Sequence, residues 1–217
     1  MTQDKPRRQP RRTQADLRER LLAAALTEFA TFGFDGASTR RIAKQIGAHQ
    51  PQINYHFASK ELLWQAAVGH LFTLLTQALD SNRITATGGQ PLALEFAALL
   101  RRLVSFVACH PELNRIMVHE STCPGPRLEW MTGQFVKPFY QSLQPLWKQL
   151  VRDGIAAPIH PKLIHHALVG AASLVFVNAH ELALLNGVNA SSPYWVKAHA
   201  EGLIATFLPG LHRPESG

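Results

Sequence analysis

From Thr13 onward, apolar positions recur three and four residues apart, which is the spacing of one face of a helix. Thr13 to Phe32 carries the stripe Leu17, Leu21, Ala25, Phe29 and Phe32, with Thr13 as N-cap and Gly33 as its end. Phe34 follows as a plug for a small core. Ser38 opens the next helix as N-cap. Ile42, Ala43 and Ile46 form that helix's inner face, and Arg40, Arg41, Lys44 and Gln45 fall away from it. Gly47 stands where a helix stops in the left-handed conformation. A short helix is expected from Gln50 to His56, with Pro51 tolerated in its first turn. Ser59 caps a fourth, reaching about Leu79 through Leu63, Ala67, Leu71, Leu74 and Ala78.

The rest of the pattern is helical too. Thr85 to Gln90, with Gly88 and Gly89, predicts a loop. Leu92, Phe96, Leu99, Leu103 and Phe106 make one stripe that ends before Pro111, and a shorter helix follows from Pro111 to Glu120. The run T-C-P-G-P, Thr122 to Pro126, is a break. Arg127 to Asp153 predicts a helix bent at Pro138 and Pro145 and closed by Gly154. Pro161 to Leu185 is the most apolar helix, and Ser192 to Leu208 is the last. The expectation is an all-α chain of about nine helices in three parts: a basic tail over 1–12, a three-helix domain over 13–58 and a helical body over 59–217.

Ala167 to Val177 is apolar all round, so it requires cover on every side. Gly170, Ala171, Ala172 and Ser173 would let another helix approach closely, and a second copy of the chain is the expected source of that cover. Leu168, Ala171, Leu174, Val175 and, from the last helix, Trp195 are the candidate contacts.

Charge changes the picture at one end only. The net charge is +7, and residues 1–60 carry 11 Lys+Arg against 5 Asp+Glu, whereas the remainder carries 11 against 10. The excess cations therefore sit on the segment with the short helices, as on a phosphate-binding module attached to a near-neutral body. The tail's Lys5, Arg7, Arg8, Arg11 and Arg12 suit either a solubilising role or an arm laid along DNA. No run reaches the eighteen apolar residues of a membrane helix, and the N-terminus lacks the apolar segment of a secretory signal. Cys109 and Cys123 alone give no disulfide framework and fit a reducing cytoplasm.

Two short helices around a tight glycine turn, flanked by basic residues, are what a helix-turn-helix needs. The residues that fill it are specific: Ser38, Thr39, Ile42, Ala43 and Gly47, then Tyr55, His56 and Phe57, then Ser59, Lys60, Glu61 and Leu63, preceded by Phe29, Phe32, Gly33 and Phe34. This pattern over the first quarter of the chain resembles the TetR family of transcription regulators. Ile53-Asn54 replaces the leucine-tyrosine common in that family, His49 replaces a common serine, and Pro51 stands where small or polar residues are usual.

The resemblance implies a repressor, or alternatively an activator, that binds a double-stranded operator as a homodimer and answers an unknown small-molecule effector without a cofactor. The candidate DNA contacts are Ser38, Thr39, Arg40, Lys44, His49, Gln50, Gln52, Asn54, Tyr55, His56 and Lys60. Thr39, Arg40 and Lys44 are assigned to phosphates. His49, Gln50 and Gln52 are assigned to the groove, with Asn54 for an adenine edge. Tyr55, His56 and Lys60 match family positions that grip the backbone.

The alternative class, a helical enzyme or binding protein, finds little support, since no G-x-G-x-x-G, G-x-x-x-x-G-K-[ST], G-x-S-x-G or H-E-x-x-H occurs. Adjacent His165 and His166 diverge on a helix and make a poor metal pair. A small-molecule pocket in the body would be apolar with a few polar groups. Phe106, Met117, Trp130, Phe135, Phe139 and Phe176 are candidates for its wall, with Arg101, His119, Glu120 and Asn178 as polar handles.

Overall fold

A computed structural model describes residues 14–79 and 84–211. Thr13 and the basic tail lie outside them. Among the described residues the chain is all α-helical, and it divides into two compact units that meet at Val68 and Gly69.

In the first unit, α1 spans Gln14–Gly36. Its regular geometry breaks at Gly33, where φ is 67° and ψ 178°, a region open essentially to glycine alone. Leu21, Ala25 and Phe29 are buried, but Phe32 is 50% exposed. It leaves the expected stripe, and the Arg41 guanidinium lies 4.4 Å over its ring. Phe34 stacks on Phe29, with centroids 6.0 Å apart. The second helix, α2, spans Thr39–Gln45, and α3 spans Gln50–His56. Between them Gly47 takes φ 66°, as the pattern required. Ile42, Ala43, Ile53 and Phe57 complete the small core.

Helix α4, Lys60–Leu79, starts in the first unit and ends in the second. Ser59 caps it, its Oγ accepting the Leu62 N–H at 3.1 Å. By length and composition α4 is apolar enough to cross a membrane, as are the bent α9 and α10 (below) taken together. Leu63, Trp64, Ala67, Val68, Leu71 and Phe72 are nevertheless buried in protein, the position of a core helix.

The second unit continues with α5, Gly89–Cys109, and α6, Glu112–Thr122. Then come α7, Pro126–Met131, and α8, Lys137–Arg152. The expected stripe of α5, from Leu92 to Phe106, is buried throughout. The bend expected at Pro138 appears just upstream, as a π-helical turn over Thr132–Val136. Pro138 has no N–H with which to close the next regular helical bond, so the irregularity precedes it. The most apolar segment is two helices, α9 over Ile164–Val177 and α10 over Ala179–Asn186, bent by 64°. The break is at Asn178, a residue the apolar pattern carried straight through. Last comes α11, Pro193–Phe207.

Candidate nucleic-acid interface and interior cavity

The presentation of α3 follows from how α1 holds α2. Glu28 of α1 is only 1% exposed. Its Oε1 accepts the backbone N–H of Ser38 at 2.8 Å and Arg41 Nε at 2.7 Å. Ser38 is therefore the N-cap residue of α2, but its own hydroxyl makes no capping bond. The carboxylate of another helix instead accepts the N-cap residue's own backbone N–H and so fixes the start of α2. Arg41 also donates to the Gly36 carbonyl at 2.6 Å, which binds this cation to the fold. At the other end of α2, Arg20 Nη2 donates to the Ile46 carbonyl at 2.6 Å. Sequence reading missed both Glu28 and Arg20. The only signal was a lone carboxylate set into the apolar face of α1.

With Ile53 turned inward, α3 turns Pro51, Gln52, Asn54 and Tyr55 outward, Tyr55 being 74% exposed. Gln50 is partly engaged, since its Nε2 donates to Thr39 Oγ1 at 3.1 Å and its Oε1 accepts from Arg40 Nε at 3.2 Å. It ties α3 to α2. The Gln52 Oε1 accepts the His49 N–H at 2.8 Å and so caps the start of α3. His49 and Lys44 are exposed, and His56 is half-buried with its ring against Tyr55. Lys60 Nζ donates to the Asp35 carbonyl at 3.3 Å and lies 4.7 Å over the Phe34 ring.

Seven polar residues line one shallow hollow: Ser38, Thr39, Arg40, Gln50, Asn54, Ser59 and Lys60. All but Ser59 are among the sequence candidates. Lys44, His49, Gln52, Tyr55 and His56 lie outside it. The arrangement offers cations, hydroxyls and amides to one partner, the mix that phosphates and base edges accept.

The second unit contains a cavity of about 320 Å³ lined from α4, α5, α6, the π turn, α8 and α9. Phe72 stacks on Phe135 at 4.5 Å, and Trp130 meets Phe135 edge-on from behind. Of the expected wall, Met117, Phe135 and Phe139 line the cavity. The others are elsewhere. Phe106 packs against His110, Phe176 against His199, and Asn178 is exposed at the helix break. The expected polar handles are also elsewhere: His119 is exposed, Glu120 is buried against Arg127 at 3.0 Å, and Arg101 pairs with Glu201 at 2.7 Å. The cavity's own polar residues include Asn114, Gln134, His165 and Ser173.

His165 is 9% exposed, whereas its neighbour His166 is exposed. Burial, and secondarily the charge of His166, lowers the His165 pKa to about 4, so its ring is neutral at pH 7. Its Nδ1 is buried without a hydrogen-bond partner among the described residues. Sequence alone did not say which of two adjacent histidines turns inward. Among the described residues, no three His, Cys, Asp or Glu side chains gather as a metal site.

Helices α9 and α11 pack on each other through Phe176 and His199, whose Nε2 lies 3.0 Å from the Ala171 carbonyl oxygen. Their outer faces carry Leu174, 56% exposed, with Tyr194 and Trp195 also exposed. A Cβ at Gly170 or Gly202 would meet open space. Of the expected contacts between copies, Leu174 and Trp195 are on that surface, and Ala171 and Val175 are half-buried. Leu168 is 3% exposed and packs inside its own chain, because α5, α6 and α8 already cover the inner side of α9.

Residues 21–67 match the family model described as bacterial regulatory proteins, tetR family. The HTH-type transcriptional regulator RutR of Escherichia coli K12 is 28% identical over 143 residues, which span 65% of this chain and 65% of that protein. The match thus covers just under two thirds of RutR's length. The HTH-type transcriptional repressor NicS of Pseudomonas putida is 28% identical over 190 residues, 80% of this chain and 82% of that one. Among solved structures, AibR in complex with isovaleryl coenzyme A and operator DNA superposes with a TM-score of 0.69 at 17% identity. It covers 88% of this chain and 98% of that one. A regulator of the TetR/AcrR family from Thermobifida fusca gives 0.58 at 19% identity, with coverage of 91% and 100%. At these identities the structures establish a common fold.

Proposed function

From the match of residues 21–67 to the tetR family model and the similarity to HTH-type regulators, we propose that this chain belongs to the tetR family of bacterial regulatory proteins and is a DNA-binding transcription regulator. In this reading it acts in the cytoplasm as a homodimeric repressor that a small molecule releases from an inverted-repeat operator. The observation that carries the reading is the outward face of α3 beside a hollow lined by Thr39, Arg40, Asn54 and Lys60. Thr39, Arg40, Lys44, Tyr55, His56 and Lys60 hold phosphates. His49 and Asn54 reach base edges in the major groove, with Gln50 and Gln52 exchanging their internal partners to join them.

The outer faces of α9 and α11 support the dimer. Leu174, Tyr194 and Trp195 provide apolar area, and the open surface at Gly170 and Gly202 admits a close-packed partner helix. A two-fold dimer on DNA sets its recognition helices about one turn apart, roughly 34–36 Å, hence an inverted repeat.

Helix α4 supplies the coupling. It starts at Ser59, beside α3, and its far half lines the cavity through Phe72, Leu75, Thr76 and Leu79. A ligand that favours one position of α4 alters the spacing of the recognition helices, and by linkage operator DNA weakens the ligand by the same factor. The test is fluorescence anisotropy of duplex DNA from the gene's own upstream region, titrated with protein at increasing salt. Binding with a steep negative salt dependence is expected. Salt-insensitive binding, or none, would overturn the reading.

A further inference from the structure

We propose that the cavity of the second unit takes an uncharged, largely apolar ring compound carrying one hydroxyl, and that His165 holds that hydroxyl. The inference rests on the reading above, that this unit binds a small molecule, and it names the chemistry that the unit selects.

Size is the first constraint. At about 320 Å³ the cavity is at the lower end of the roughly 300–1,000 Å³ typical of small-molecule sites. The walls give the second constraint. Phe72, Leu103, Val107, Phe135 and Phe139 dominate them, and no Asp, Glu, Lys or Arg is among the described lining residues. A permanently charged ligand would lose its water there and meet no countercharge.

The third constraint comes from α9. His165 and Ser173 lie on one face of that helix, eight residues apart, and both line the cavity. Ser173 Oγ donates to the Val169 carbonyl at 2.6 Å, so its proton is already committed. His165 differs, because its buried Nδ1 has no hydrogen-bond partner among the described residues. Edge-to-face contacts with Phe139 at 6.0 Å and Tyr140 at 6.2 Å fix the ring. Buried polar atoms are ordinarily hydrogen-bonded, so an orphan on a residue that lines a ligand-sized cavity points to a ligand group as its partner. A hydroxyl both donates and accepts, and therefore satisfies Nδ1 in either tautomer. The neutrality of the ring at pH 7 favours the same partner over a carboxylate.

Equilibrium dialysis of the full chain at pH 7.5 against naphthalene, 1-naphthol and 1-naphthoate tests the proposal. These probes share one framework and differ in the polar group. 1-Naphthol should bind about tenfold more tightly than naphthalene, a gain on the scale of one buried hydrogen bond. 1-Naphthoate should bind more weakly than either. His165→Leu should reduce 1-naphthol to the level of naphthalene. His165→Gln, which keeps a hydrogen-bonding amide, should retain most of the preference and so separates a lost contact from a misfolded variant. Equal affinity for 1-naphthol and naphthalene, tightest binding of 1-naphthoate, no binding of any probe, or a preference that survives His165→Leu would overturn the proposal. Anisotropy of operator DNA without any probe, on the same preparation, keeps the two readings apart. DNA binding with failure in dialysis removes only the ligand assignment. The 1-naphthol preference without DNA binding removes only the regulator reading.

Discussion

In the first unit, Glu28 is buried and its Oε1 accepts two hydrogen bonds that fasten α2 to α1, while its Oε2 has no hydrogen-bond partner among the described residues, and Arg20 closes the far end of the same helix. In the second unit, His165 is also buried, and its Nδ1 has no hydrogen-bond partner among the described residues. Polar groups in the first region lock short helices into one arrangement, as suits a module that must present α3 in a fixed register. The polar group in the second stands beside empty volume. Glu28 ties two helices together through one oxygen, which serves rigidity, whereas His165 lines a cavity, where a polar group is placed to meet something from outside.

Removing the lock should have the largest effect. Glu28→Ala leaves the Ser38 N–H without its acceptor and releases Arg41, so the first unit should lose roughly 1.5–3 kcal/mol, the range for hydrogen bonds to a charged group. Thermal or urea unfolding followed by circular dichroism measures it, and a loss under about 0.5 kcal/mol, the scale of an ordinary surface change, would deny Glu28 its role. Asn54→Ala should leave stability alone and relax preference at particular base pairs by roughly 1–3 kcal/mol, read by competition among single-base operator variants. A uniform loss over all sequences would move Asn54 from reading to positioning.

Lys60→Ala should do what Asn54→Ala does not. It should weaken binding to every sequence and flatten the logarithmic salt slope by about one unit. A change in base preference would reverse the two roles.

The smallest effect concerns His165 and pH. Its pKa is about 4 in the fold against 6.5 as the ordinary value, so between those limits the unfolded chain binds the extra proton. The stability contributed by keeping this ring neutral is fully present above pH 6.5 and is lost as pH falls from 6.5 toward 4. His165→Phe should therefore melt with a shallower pH dependence than wild type across that window. Parallel curves would remove the buried, neutral histidine from the account.

The same contrast explains what was legible in the sequence. Helix existence and most boundaries were, because Gly47, Ser59, Pro111 and Gly154 mark stops and starts by backbone chemistry that needs no tertiary context. The α9–α10 break at Asn178 was not, since an uninterrupted apolar pattern carries no sign of a 64° bend. Most residues of the hollow beside α3 were legible from a local motif. The cavity was assembled from six separate segments, and only Met117, Phe135 and Phe139 of its expected wall belong to it. Which of His165 and His166 turns inward depends on where Phe139 and Tyr140 of α8 lie, a fact of packing with no trace in local spacing.

Selection of genomic fragments by the purified full chain, followed by footprinting of the enriched DNA, tests whether a dimer of this chain reads an operator. One enriched inverted repeat is expected, with half-sites about one helical turn apart, and with protection that Leu174→Arg abolishes by separating the protomers. Enrichment of no sequence, or protection of a single half-site that Leu174→Arg leaves at wild-type affinity, would contradict it.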